Sequence, residues 1–195
     1  MSYAGDVGLW EQTRRTVRDD IALAAMDLVV AQGFEATTMD EIAAKAGVSR
    51  RSLFRYFGTK EDVVLHGLAS TGEFIRAALA TRPLTEAPWE ALLAVARSME
   101  STPGWDTARE RAIGRVCVET PALRARRAEK HAGWIELIAP ELAVRPAAAP
   151  VGQAAAEAII AAGLACLDVA TDRWVAAEGT DLATLLEEAV AAVRA

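Results

Sequence analysis

The chain has 195 residues, a formal net charge of −6, and hydrophobic types at 52%. At roughly 100–200 residues per domain this is one domain, or two small ones sharing a core. There is too much apolar material for a disordered chain, and the balance is too acidic for a uniformly basic nucleic-acid coat.

Ala supplies 43 residues, and Arg outnumbers Lys 18 to 3. Ala is the best helix former, and β-branched and aromatic types are sparse, so the expected fold is all-α. Cys117 and Cys166 fit neither a disulfide framework nor a metal spacing, which points to a reducing, cytoplasmic setting. Residues 1–10 lack the basic and apolar regions of a signal peptide. The longest strongly apolar run, 158–167, is bounded by Glu157 and Asp168. It falls short of the ~20 residues a bilayer span needs, so no membrane role is expected.

In chain order, the first predicted helix covers about 13–32, where Ile21, Ala24, Ala25, Leu28 and Val29 recur at helical spacing and Gly33 ends the run. Thr38 and Glu41 form a Thr-x-x-Glu capping box that opens a second helix, and Gly47 closes it. Ser49 caps a third helix from about Arg50 to Phe57, broken at Gly58. Thr59 caps a fourth, predicted to reach about residue 80 with a weak point at Ser70-Thr71-Gly72. Further helices are expected at about 89–100, 105–119, 121–143, 151–177 and 181–194, with Thr180 as the last cap, giving about nine in all. The loops between them hold Thr102-Pro103-Gly104, Thr120-Pro121, 146–150 and Gly179-Thr180. Two short helices across a Gly-containing turn make a helix-turn-helix.

Charge is informative when taken locally. Residues 45–60 carry Lys45, Arg50, Arg51, Arg55 and Lys60 and no acid, a local +5 that leaves −11 on the remainder. Such a concentration on the second helix of a helix-turn-helix is the electrostatic footprint of a DNA reader. Leu53 and Phe57 share the core-facing side at i and i+4, and Arg51 and Arg55 share a side rotated away from it. Arg50 and Ser52 lie at the helix start, where such readers touch base edges. A solvated basic face on a helical hairpin is the competing reading of the charge alone.

The run Thr38-Met-Asp-Glu-Ile42-Ala43-Ala-Lys-Ala46-Gly47-Val48-Ser49, followed by Leu53-Phe54-Arg55-Tyr56-Phe57-Gly-Thr-Lys60-Glu61, resembles the DNA-binding domain of TetR-type transcriptional regulators over about 15–64. The resemblance implies a helix-turn-helix domain at 10–60 and an effector-binding and dimerisation domain at 61–195. It also implies a homodimer on double-stranded operator DNA, released by a small hydrophobic effector, with no cofactor. Carried over residue by residue, Thr38 should offer its backbone N–H or hydroxyl to a phosphate. Ser49, Arg50, Arg51, Ser52 and Arg55 should face the major groove, where an arginine can grip guanine O6 and N7. Tyr56 and Lys60 should hold phosphates. Phe54 stands where the family usually has Tyr, and it would press on a thymine methyl or pack in the core. Arg14, Arg15 and Arg18 are backbone candidates or simply solvated. The stretch 111–142 is similar to a subgroup of the family that includes regulators of mycofactocin clusters, some of which respond to acyl-CoA.

Outside that region, His66 and His131 are isolated, no residues have metal-ligand spacing, and no catalytic motif occurs. A non-enzymatic role is therefore expected. Trp89, Trp105 and Trp134 are candidates to line an effector cavity, with core packing the plainer role for at least two of the C-terminal tryptophans. The basic run Arg109, Arg111, Arg115, Arg124, Arg126, Arg127 and Lys130 reads first as a solvated helix face and second as a receiver for an anionic head group.

In 151–177, Gln153, Glu157, Asp168 and Asp172 form one narrow polar stripe with apolar residues on both flanks. One flank then needs a partner chain, and the predicted dimer interface holds Ile159, Ala162, Cys166, Leu182, Leu186 and Val190. A helical small-molecule carrier and a nonspecific architectural DNA binder remain the alternative functions.

Overall fold

A computed structural model describes residues 4–101, 105–147, 149–150, 152–177 and 179–195. The predicted Thr102-Pro103-Gly104 turn lies outside the described residues. Ten helices are found among them, and a two-residue antiparallel pairing is the sole extended feature: β1 (Pro146–Ala147) against β2 (Ala149–Pro150). The fold is all-α. The chain divides into two compact units, Met1–Leu68 and Ala69–Ala195.

The N-terminal unit holds α1 (Ala4–Gln32), α2 (Met39–Lys45), α3 (Arg50–Tyr56) and α4 (Lys60–Val64). Helix α1 starts well before the expected residue 13, and it ends where Gly33 takes φ +88°. Thr38 accepts from the Glu41 N–H while the Glu41 carboxylate accepts from the Thr38 N–H at 2.8 Å, so the capping box is complete. Gly47 turns the chain at φ +66°, a left-handed conformation that side chains with a Cβ resist. Ser49 accepts from the Ser52 N–H, and Thr59 from the Asp62 N–H. These caps set the helix starts, each worth about 1 kcal/mol. Ile21, Ala25, Val29, Ile42, Leu53, Phe57 and Val63 form the buried interior.

The predicted fourth helix is two helices. α4 ends at Val64, Leu65 leaves the helical region, and α5 (His66–Thr81) begins. The break falls earlier than the expected weak point at 70–72. Gly72 is continuous helix and serves packing instead: a Cβ there would lie 2.5 Å from the Trp134 Nε1.

The C-terminal unit is built by most of α5, then α6 (Pro88–Glu100), α7 (Thr107–Glu119), α8 (Pro121–Ala143), α9 (Gly152–Ala176) and α10 (Leu182–Arg194). Asp106 caps α7 through the N–H groups of Ala108 and Arg109. Asp181, not Thr180, caps α10 by accepting from the Thr184 N–H. Helix α9 is the centre of the unit and packs along α6, α7, α8 and α10. It is long and apolar enough to cross a membrane by length and composition alone, which the run 158–167 did not suggest. Its packing on four helices of its own chain is that of a core helix.

Candidate nucleic-acid interface

Helix α3 sorts its side chains as its phase demands. Leu53 and Phe57 are 0% and 3% exposed, whereas Arg50, Arg51, Phe54 and Arg55 are exposed on the other side, with Ser52 and Tyr56 half-buried at the edges. Phe54, at 45% exposure, is not a core residue. The outer face of α3 therefore carries three guanidinium groups and an aromatic ring, with no acid of its own.

The cations of residues 45–60 differ in what holds them. Arg50 Nη1 donates to Asp40 Oδ2 at 3.0 Å, and its guanidinium lies 5.6 Å from the centre of the Phe54 ring. The Arg55 guanidinium lies 5.2 Å from the Tyr56 ring. Lys45 faces Asp27 at 3.9 Å. The Arg51 side chain makes no hydrogen bond or ion pair among the described residues.

Lys60, expected at a phosphate, is bound within the chain. Its Nζ donates to the Phe34 and Thr37 carbonyls at 2.6 and 2.9 Å and sits 4.0 Å from the Phe34 ring. It ties the start of α4 to the loop between α1 and α2, where the Phe34 carbonyl also accepts from the Thr37 N–H. The Thr38 N–H and hydroxyl, expected at a phosphate, both donate to the Glu41 carboxylate. These bonds hold the Glu41 carboxyl below the usual carboxylate range. Among the α1 arginines, Arg18 stacks over Phe57 at 5.1 Å, while Arg14 and Arg15 are exposed.

In the C-terminal unit the three candidate tryptophans fall into separate packing groups. Trp89 belongs to a core with Leu93, Cys166, Ala170, Leu186 and Val190, and its ring lies against Gly163. Trp134 is buried against Gly72, with its ring 4.9 Å from that of His131. Trp105 is half-buried and donates to the Thr107 hydroxyl at 3.2 Å.

The basic run does not form a free cationic surface. Arg111 donates to the Trp174, Ala177 and Thr180 carbonyls and stacks on the Trp174 ring at 4.8 Å, which closes the C-terminal end of α9. Arg115 donates to the Val175 carbonyl, Arg124 to that of Val118, Arg126 pairs with Glu129, and Arg127 pairs with Asp168 at 2.8 Å. Burial pushes the Cys117 and Cys166 thiols up, and it pushes the His131 imidazole down against the opposing pull of Asp168.

Of the polar stripe of α9, Gln153 and Asp172 are exposed, while Glu157 and Asp168 are half-buried and Asp168 faces Arg127 on α8; Ala158, Ala161, Ala165 and Val169 are exposed as well. Of the predicted interface residues, Cys166, Leu186 and Val190 are buried within the chain, and Leu182 packs against them. Residues of α6 pack over Cys166, Leu186 and Val190, while Leu182 stays half-buried. Ile159 and Ala162 are half-buried. The sequence pattern showed two apolar flanks on α9; it did not show that α6 fills one of them.

Comparison with known proteins agrees with the helix-turn-helix geometry. Residues 21–66 match the sequence profile of the bacterial regulatory proteins of the tetR family, and residues 82–195 match that of the MftR C-terminal domain. The chain belongs to the tetR family. The regulator TcmR of Streptomyces glaucescens is 34% identical over 67% of this chain and 62% of its own length. The mycofactocin biosynthesis regulator MftR of Mycobacterium tuberculosis is 36% identical over 68% and 67%. Among solved structures, Thermus thermophilus FadR, a TetR-family repressor in complex with lauroyl-CoA, is 31% identical, covers 89% of this chain and 91% of its own, and superposes with a TM-score of 0.58.

Proposed function

We propose that this regulator is a repressor that binds a near-palindromic operator as a homodimer and leaves it when a small apolar effector binds the C-terminal unit. The observation that carries the reading is the outer face of α3. Arg50, Arg51, Phe54 and Arg55 stand exposed on a helix whose own start is fixed by the Ser49 cap, and whose apolar side is fully used in the core. A rigid basic helix of this kind enters the major groove with its first residues against base edges. Ser49, Arg50, Arg51, Ser52, Phe54, Arg55 and Tyr56 are the contact residues, and residues 10–60 with 61–195 are the division of labour between DNA and effector.

The dimer reading rests on α9. Its exposed Ala158, Ala161, Ala165 and Val169 form a small-residue apolar line that permits close helix approach and gains from losing water. The effector class follows from the likeness to the lauroyl-CoA complex. An acyl thioester would be taken by the apolar interior of the C-terminal unit, and it would shift the DNA-binding equilibrium only by its differential affinity for the two conformations.

Fluorescence anisotropy on DNA from upstream of the gene tests this, with lauroyl-CoA as the probe ligand. The expected result is binding that unlabelled specific DNA competes and random DNA does not, reversed by the ligand. Ala165→Glu should abolish it by leaving a folded monomer. Equal affinity for every DNA fragment would refute the proposal.

A further inference from the structure

The three arginines of α3 are not equivalent, and the difference identifies a specificity determinant. We infer that Arg50 is the base-reading arginine, aimed at a guanine, and that Asp40 is its positioning residue. The inference rests on the operator-binding reading above and names what that surface reads.

Arg50 is the first residue of α3, and base contacts in helix-turn-helix proteins come from the start of the recognition helix. Its guanidinium is held twice, by Asp40 Oδ2 at 3.0 Å and by the Phe54 ring at 5.6 Å. A guanidinium has five N–H donors, and the Asp40 bond uses one of them. The rest of the fork remains for the O6 and N7 acceptors of guanine, and it is already oriented, so less rotamer freedom is given up on binding.

The pair is strongly exposed, at 67% and 62% of the two side chains, and an ion pair so placed contributes little to stability. Its net charge is zero, so it adds little to the nonspecific attraction of phosphates. Orienting the guanidinium is the effect left to it. Arg51 and Arg55 have the opposite character. The Arg51 side chain is exposed without a hydrogen bond or ion pair among the described residues, and Arg55 lies near the far end of α3 over Tyr56. They bring uncompensated charge, which serves phosphates on any sequence.

Selection by the full chain from a DNA library with randomised half-sites, read by sequencing, tests the assignment. The wild type should enrich a symmetric motif with a guanine in each half. Arg50→Ala should lower the preference at those two guanines by roughly five- to a hundredfold, the discrimination of one bidentate contact, and leave the other positions alone. Asp40→Ala and the isosteric Asp40→Asn should lower the same preference while raising affinity for random DNA, because a negative charge leaves the DNA-facing surface. A residue that merely supported the fold would not produce those opposite shifts. Arg51→Ala should weaken binding on all sequences and keep the guanine.

Retention of the guanine preference in Arg50→Ala, or in both Asp40 variants, overturns the inference. A wild-type chain that enriches no motif overturns the regulator reading itself, and the inference with it.

Discussion

In the N-terminal unit, Arg51 and Arg55 stand on the outer face of α3, while in the C-terminal unit Arg111, Arg115 and Arg145 turn inward onto backbone carbonyls. Arg145 is the extreme case. It is 0% exposed, and its guanidinium donates to the carbonyls of Leu79 at 2.6 Å and Pro83 at 2.7 Å, at and just beyond the last turn of α5. The α3 pair is left exposed to solvent, whereas a cation beside a helix C-terminus adds a donor to the carbonyls of the last turn and just beyond it. The residue type is the same, so local composition alone does not reveal which role an arginine takes.

The largest expected effect follows from breaking the inward class. Arg145→Met should destabilise the chain by about 3 kcal/mol, since it removes the charge-assisted hydrogen bonds to Leu79 and Pro83, whose carbonyls then keep only the Arg82 and Glu86 backbone N–H groups. Arg51→Ala, from the outward class, should stay within about 0.5 kcal/mol of wild type. Urea unfolding of both variants measures the contrast. Equal losses would erase the distinction between the units.

The glycines divide in the same way. Gly33 and Gly47 serve backbone conformation, whereas Gly72 serves space: its missing Cβ is the room occupied by the Trp134 ring. Gly72→Ala should cost about 2 kcal/mol through overpacking, despite alanine's better helix propensity. A thermal scan should show the lower midpoint, and a stabilised variant would mean that α5 and α8 do not approach closely.

The contrast also explains what could be read in the residues alone. Thr38 with Glu41, Ser49 and Thr59 act over three residues, so their caps were legible, and the phase of Leu53 and Phe57 placed α3 correctly. The bonds of Lys60 were not legible, because its acceptors, the Phe34 and Thr37 carbonyls, lie 26 and 23 residues away. Arg111 closes α9 from 63 residues away, and Arg145 reaches Leu79 across 66. Asp40 meets Arg50 only because the Gly47 turn folds α2 back beside α3. The apolar stripe of α10 was clear in the sequence, yet its inward direction depended on α6.

A smaller, pH-dependent effect belongs to the C-terminal unit. Burial holds the His131 imidazole below its ordinary value, with Arg127 acting in the same direction and Asp168 against it. The unfolded chain takes the proton first, from about pH 6.5 downward. Stability is therefore full above that value and falls as the pH drops through the folded pKa. Unfolding midpoints measured from about pH 7.5 down to about pH 5, on either side of the free histidine value, should decline less in His131→Leu than in wild type. An identical decline would assign the loss to other groups.

The salt dependence of operator binding tests the outward placement of the α3 cations most directly. Removing one phosphate contact should lower the slope of log K against log salt by about 0.9. Arg51→Ala should lower it by about that amount, and Arg126→Ala, at a half-buried arginine of the C-terminal unit paired with Glu129, should leave it unchanged. An unchanged slope in Arg51→Ala, or a lowered one in Arg126→Ala, would contradict the assignment of α3 to the DNA.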